Sequence, residues 1–356
     1  MTQTITFPFD RRPEPGEAMP VAEGVRWVRM PMPLAGLDHI NLWLVEDGDG
    51  WTVVDTGVKT DQIQELWENV FTREIGGKPV KRVICTHFHI DHTGMAGWIT
   101  QRFPGIELWM TFGEWSFARM LWLEALPEVP EHVLEFYRRS GFGAEAIEQI
   151  KSSGYANMQK QSWEVPRAFR RMTEGDVIRI GQHDWKIMIG RGHSPEHACL
   201  YCPALNVLIS GDQVLPRISP HIGLHANEPE GNPLGLYLNS LKQFNSLPSE
   251  TLVLPAHNDP FVGVGARADQ LAHHHAVRLG LLGAAMEDWT PMPDVLPVLF
   301  RRQLEGFQRI MASSEALAHL QYMVVDGTAQ RRLDADGVYQ FRRATTEIPP
   351  AEIGHE

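Results

Sequence analysis

The stretch Thr86–Gly94 reads THFHIDHTG and places three histidines and an aspartate within the six residues His87–His92. Imidazole nitrogens and carboxylate oxygens are the usual donors to zinc and similar divalent ions. His87, His89, Asp91 and His92 cannot all share one face of a strand or of a regular helix, but they suit a tight loop wrapped round a centre. A predicted strand, Val80–Cys85, ends just before Thr86, where the stretch begins. A loop at a strand end has its backbone fixed by a rigid sheet while its side chains reach a cleft.

Upstream, Asn41–Val45 (NLWLV) and Trp51–Val54 (WTVV) flank EDGDG, whose Asp-Gly content predicts a hairpin ending in Asp55-Thr56-Gly57. Ile63, Leu66, Trp67, Val70 and Phe71 then recur at helical spacing. Downstream, Asp184–Ile189 predicts a strand that leads into Gly192-His193-Ser194-Pro195-Glu196-His197. A second hairpin, Ala198–Cys202 with Val207–Ser210, ends in Gly211-Asp212, and a strand at Thr251–Leu254 leads into Pro255-Ala256-His257.

In this order, over about residues 40–260, the motifs resemble those of the metallo-β-lactamase-fold hydrolases, whose signature is H-x-H-x-D-H. The resemblance implies an α/β (α+β) fold, a four-layer αββα sandwich. It implies that His87, His89 and His193 hold a first metal, that Asp91, His92 and His257 hold a second, and that Asp212 bridges the two. Asp91 and Asp212 are the implied catalytic residues, Asp91 orienting the nucleophile or relaying a proton. Asp55 matches the family's early buried aspartate, which supports the ligand loops from behind. The implied cofactors are two divalent ions, zinc first, although the same donors accept iron or manganese. Between two cations about 3.5–4 Å apart, a hydroxide is the nucleophile that the resemblance implies. His197 has two readings, a loop anchor or an additional ligand.

Composition narrows the setting. With 32 Lys+Arg against 44 Asp+Glu, the net charge of −12 argues against broad nucleic-acid or anionic-membrane binding. No apolar run approaches the roughly 18 residues of a membrane span, and the first twenty residues lack the pattern of a signal peptide. Three cysteines (Cys85, Cys199 and Cys202) make no disulfide pattern, which suits a reducing cytoplasm. The Cys199/Cys202 pair is read as structural, and the block His273–His275 as a solvated or capping group on a helix.

The catalytic domain is expected at 1–267, with a helical insertion at about 113–170. The insertion is rich in Trp115, Phe117, Met120, Trp122, Phe136 and Tyr137. It either packs on the main domain or lids the metals with an apolar pocket. His221 and His225, in the Pro/Gly-rich loop after Asp212, and Tyr137 are candidate substrate contacts. Residues 268–356 predict helices at Ala268–Met286 and from Pro293, a helix capped by Ser313 or Ser314, and a hairpin turning at Asp334–Gly337. That order resembles a small winged-helix domain, which serves packing, a homodimer contact, or RNA binding through Arg331, Arg332, Arg342 and Arg343.

Three activities follow. A hydrolase of small esters, thioesters or lactones leads. A metal-dependent nuclease or phosphodiesterase has the winged helix in its favour and the acidic balance against it. A one-iron oxidoreductase of the same fold would need fewer ligands than this chain carries. Leu215 stands where homoserine-lactone hydrolases place a tyrosine, which weighs against that subtype.

Overall fold

The computed structural model describes residues 4–34, 37–153, 158–301 and 303–344. Residues 154–157 and 345–356, inside the expected insertion and C-terminal domain, lie outside the described residues. The chain divides into two compact units. Unit 1 comprises Met1–Glu128, Gly154–Pro220 and Leu236–Ala272; unit 2 comprises Val129–Ser153, His221–Gly235 and His273–Glu356.

Unit 1 holds two sheets. The first is β1 (Ala18–Ala22), β2 (Val25–Leu34), β3 (Leu37–Asp47), β4 (Gly50–Val54), β5 (Val80–Ile84), β6 (Glu107–Thr111) and β7 (Arg170–Met172), paired in that order. Pairing is antiparallel from β1 to β4 and parallel from β4 to β7. The second sheet is β8 (Val177–Ile180), β9 (His183–Gly190), β10 (His197–Cys202), β11 (Val207–Gly211), β12 (Leu252–Pro255) and β13 (Phe261–Val262). Within it β11 and β12 run parallel, and the other pairs are antiparallel. The helices run α1 (Asp61–Asn69), α2 (Ile90–Thr93), α3 (Ala96–Arg102), α4 (Phe112–Leu123), α5 (Glu131–Arg139), α6 (Ala144–Ser153), α7 (Met158–Gln161), α8 (Pro233–Leu241) and α9 (Val264–Ala285).

The strand sequences explain why both sheets are covered. Successive side chains of a strand point to opposite faces, and here both sets are apolar. Leu42, Leu44, Val53 and Val83 join one core with Ile63, Trp67, Phe71 and Ile99 from the helices. Their neighbours Trp43, Val45, Val54 and Ile84 join a second core with Trp185, Ile187, Leu200 and Ile209 of the other sheet. Strands buried on both faces read as continuous apolar runs, as NLWLV does. The outer face of the second sheet is covered too. Leu208 and Val253 are fully buried, and Gln243, just after α8, donates to the Ile189 carbonyl (3.0 Å). The result is the αββα order. Burying each such aliphatic side chain contributes about 1.5–3 kcal/mol, and Trp67→Ala would cost about 3–5 kcal/mol.

Parallel strands place their carboxyl ends at one edge of a sheet, and loops there form a crevice. Asp55 follows β4, His87 follows β5, Asp212 follows β11 and His257 follows β12.

Unit 2 adds β14 (Thr290–Pro291), α10 (Met292–Leu299), α11 (Gly306–Val325), β15 (Ala329–Leu333) and β16 (Tyr339–Arg343), its three strands ordered β14-β16-β15. Two expectations need correction here. Ser313 and Ser314 do not cap α11: its N-cap is Glu305, and both serines are buried well inside the helix. The Ser314 hydroxyl bonds back to the Met311 carbonyl (2.9 Å), which lets a serine sit in a helix interior. His275 is also fully buried rather than solvated. Helices α5 and α6, from the expected insertion, belong to this unit, whereas α4 and α7 belong to unit 1. At Gly141 (φ 85°), after α5, an added Cβ would meet Pro293 at 2.9 Å. A glycine there satisfies both the backbone conformation and the close approach.

Candidate metal centre

Two groups of side chains that could hold a metal ion form in unit 1: His87, His89, His193 and Asp212, and beside them Asp91, His92 and His257. The donor atoms in each group lie within 4.8 Å of one another. In the first, His87 Nε2 stands 2.8 Å from His89 Nδ1 and 3.2 Å from His193 Nε2. In the second, Asp91 Oδ2 stands 3.5 Å from His92 Nε2 and 3.4 Å from His257 Nε2. Asp212 lies between them. Its Oδ2 is 3.4 Å from His193 Nε2 and 4.0 Å from His87 Nε2, while its Oδ1 is 3.3 Å from His257 Nε2 and 3.7 Å from His92 Nε2.

The far sides of the rings are held as well. His92 Nδ1 faces Asp55 Oδ2 at 2.8 Å, and His257 Nδ1 faces the His39 carbonyl at 2.9 Å. Those acceptors select the tautomer with its proton on Nδ1 and its lone pair on Nε2. Thr86 Oγ1 stands between the Nδ1 atoms of His87 (3.1 Å) and His92 (3.2 Å), and its hydroxyl and backbone amide both reach the Asp55 carboxylate. Asp55 itself has φ 61°, a strained left-handed backbone for a residue other than glycine.

The donor set fits divalent cations. His92 Nε2, His257 Nε2 and Asp212 Oδ1 are buried and converge, yet have no hydrogen-bond partner among the described residues. Buried polar atoms are normally paired, so three orphans aimed at one point mark a place for a cation. Electrostatics separate the two groups. Burial and the neighbouring imidazoles push His87 well below the usual histidine range and His89 down to about 3. Burial acts the same way on His257, but Asp212 and Asp91 outweigh it and lift the ring to about 10. Burial would raise Asp91, and the charges on His92 and His257 instead bring it to about 2.

His197 serves the backbone: its Nε2 accepts the Asp212 N–H (3.0 Å), and its ring stacks on His87 at 4.7 Å. Cys199 and Cys202 are buried, unbridged and on β10. Tyr137, His221 and His225 belong to unit 2. There His221 Nε2 meets the Ser314 hydroxyl (3.2 Å), and Tyr137 packs edge-on against Phe142 (5.0 Å).

Four further residues support the donors. Besides Thr86 and His39, Asn41 donates to the carbonyls of Pro255 (2.9 Å) and Asn258 (2.6 Å), either side of His257. Glu114, fully buried, accepts from the Phe88 amide, the Ser194 hydroxyl and the Glu196 amide. Thr86 is visible in the motif itself. Glu114 stands three residues after Thr111 in the spacing of a capping box, which conceals its use.

The Metallo-beta-lactamase superfamily description matches residues 35–257, and the Metallo-beta-lactamase-like, C-terminal domain description matches residues 282–344. The chain belongs to the metallo-β-lactamase superfamily. It is 23% identical over 337 residues to the "Probable metallo-hydrolase YqjP" of Bacillus subtilis (strain 168), covering 89% of this chain and 97% of that one. It is 24% identical over 255 residues to the human "Acyl-coenzyme A thioesterase MBLAC2", covering 67% of this chain and 84% of that one. A solved "Beta-lactamase domain protein" from Burkholderia ambifaria superposes with a TM-score of 0.87 at 41% identity, over 96% of this chain and 98% of that one. This chain is therefore a metal-dependent hydrolase of that superfamily. Among the described residues no helix is long and apolar enough to cross a membrane.

Proposed function

We propose that the chain hydrolyses a small acyl thioester, ester or lactone at a dinuclear centre, with a thioester as the leading substrate class. The observation that carries the dinuclear reading is Asp212, whose two carboxylate oxygens face different donor groups. His87, His89 and His193 would hold one ion, Asp91, His92 and His257 the other, and Asp212 both. Zinc is the first choice, with iron or manganese as alternatives. When bound, two such ions supply Lewis-acid polarisation of the scissile carbonyl and lower the pKa of water to near neutrality.

The chain's own residues do the remainder. Asp91 Oδ2, at the edge of the second group, would accept the proton of the attacking water and pass it to the leaving group. Asp55 and the His39 carbonyl hold His92 and His257 in the tautomer that presents Nε2. Asp212 is held by His197 through its backbone amide. The likeness to a relative named as an acyl-coenzyme A thioesterase supports the thioester class.

The nuclease alternative rests on unit 2, read as winged-helix-like, and its basic hairpin. Three of the hairpin's four arginines are engaged locally. Arg331 makes a two-pronged ion pair with Glu230 (2.7 and 2.9 Å), while Arg332 and Arg342 lie over the Trp289 ring at 4.2 and 4.7 Å. A packing or homodimer role for this unit, in a cytoplasmic protein, is the reading kept.

The test is a turnover panel on zinc- and manganese-loaded protein, holding acyl thioesters, aryl esters, lactones, a bis-aryl phosphodiester and single-stranded RNA. Asp212→Ala is the blank. Metal-dependent turnover confined to carbonyl substrates is expected. Cleavage of the phosphodiester or RNA alone would overturn the proposal, and Ala replacements of Arg331, Arg332, Arg342 and Arg343 would then test the hairpin.

A further inference from the structure

We propose that Glu114 is a positioning residue: its single carboxylate locks the loop carrying His87 and His89 to the loop carrying His193 and so pre-forms the first donor group. One oxygen, Oε2, accepts the N–H of Phe88, the residue between the two histidines (3.0 Å). The other, Oε1, accepts the Ser194 hydroxyl (2.7 Å) and the Glu196 amide (2.6 Å), immediately after His193. The two loops are 106 residues apart at His87 and His193. In this network one side chain on α4 bonds to both.

The lock is reciprocal. Glu196 Oε2 accepts the Gly113 amide in the first turn of α4 (2.8 Å), and the Glu196 carbonyl accepts the Thr111 hydroxyl (2.9 Å). The Glu196 carboxylate thus takes an otherwise orphaned helix N–H at the positive end of the helix dipole. A Cβ at Gly113 would stand 3.1 Å from that carboxylate, so the helix start and the loop are already in contact. Thr111 is the N-cap of α4 yet makes no side-chain capping bond. Glu114, in the capping-box position, gives its carboxylate to the ligand loops instead.

All three Glu114 partners are donors, which matches a carboxylate and not its isosteres. Glutamine could keep the two bonds to Oε1, but its amide nitrogen would then oppose the Phe88 N–H. Outer carboxylates that hold ligands in place commonly change metal affinity 10–100-fold when altered. Burial also pushes the Glu114 carboxyl up to about 7 against the bonds from Ser194, Glu196 and Phe88.

The proposal rests on His87, His89 and His193 being the ligands of one metal, and the experiment separates the two ideas. Full-length protein is stripped with a chelator and titrated with Co2+, following the visible absorption of the bound ion. His193→Ala serves as the reference, with Glu114→Gln and Ser194→Ala as test variants; unfolding of each metal-free protein is recorded in parallel. Glu114→Gln should weaken Co2+ binding 10–100-fold, and Ser194→Ala, which removes one bond of three, by less. The folded metal-free proteins should unfold at similar temperatures. If His193→Ala weakens binding and both test variants bind Co2+ within twofold of the parent, Glu114 is not a positioning residue. Should Glu114→Gln fail to fold, an unchanged affinity in Ser194→Ala overturns the proposal by itself. If His193→Ala leaves both equivalents of Co2+ bound as before, the ligand assignment is wrong, and the inference falls with it.

Discussion

The two donor groups arise from one loop yet differ in kind. His87 and His89 enter a group with a third imidazole and a single shared carboxylate oxygen, whereas Asp91 and His92 enter one that has a carboxylate of its own. The consequence is electrostatic. Histidines crowded by histidines are held neutral, as at His89, pushed down to about 3, while a histidine between two carboxylates, His257, is lifted to about 10. Neutral imidazoles favour borderline ions such as zinc, and added oxygen donors favour harder ones such as manganese. Position along six residues of chain therefore places these side chains in two groups of different donor composition.

The largest effect should come from Asp212→Ala, which deprives both groups of their common carboxylate. Turnover should fall by more than about 100-fold, beyond the 10–100-fold range typical of outer partners. Metal content, measured on the dialysed protein, should drop below two ions per chain. Full activity with both ions retained would refute the division of its oxygens. Next in size are the single-group variants. His89→Ala should lose the ion of the imidazole-rich group, and Asp91→Asn that of the carboxylate-bearing group. Each should leave about one equivalent by elemental analysis. Loss of both ions from either variant would mean that the groups do not act as separate sites. Asp55→Asn should cost about 10–100-fold in turnover, because it releases His92 Nδ1 without removing a donor to the ion.

Much of this centre is legible in the chain because its donors lie in segments that follow recognisable strands. NLWLV, WTVV and VKRVI give β3, β4 and β5, and the loops follow them. What is hidden depends on long-range contacts. Glu114 reads as a local cap because its true partners are set by the folding of α4 against a loop eighty residues away. His39 contributes its backbone carbonyl to His257, a role that any residue type could fill. Short pieces such as β7 and β13 have too few residues for a periodic pattern. The start of α11 is hidden for a related reason: serine suits an N-cap by local preference, but at Ser313 and Ser314 tertiary burial decides.

The His275–His319 pair of unit 2 offers the finest test of what buried imidazoles cost where no carboxylate bonds to either ring. His275 Nδ1 lies 3.1 Å from His319 Nε2, and His319 Nδ1 faces the Glu315 carbonyl at 2.8 Å. Arg278, paired with Glu315, and His274 add to the positive surroundings. Burial pushes His275 down to about 3 and His319 to about 4, and these neighbours keep them there. In the unfolded chain both would titrate near 6.5. The unfolded state therefore binds protons first as pH falls. The stability these groups contribute is present above about 6.5 and is lost on acidification towards 4. His319→Gln removes one titrating ring and should flatten that decline, by at most about 3 kcal/mol. The reading is denaturant unfolding at several pH values. Turnover at neutral pH should change little, because the ring lies in the other unit and is already neutral there. A decline of unchanged steepness in His319→Gln would mean that this pair does not govern acid stability.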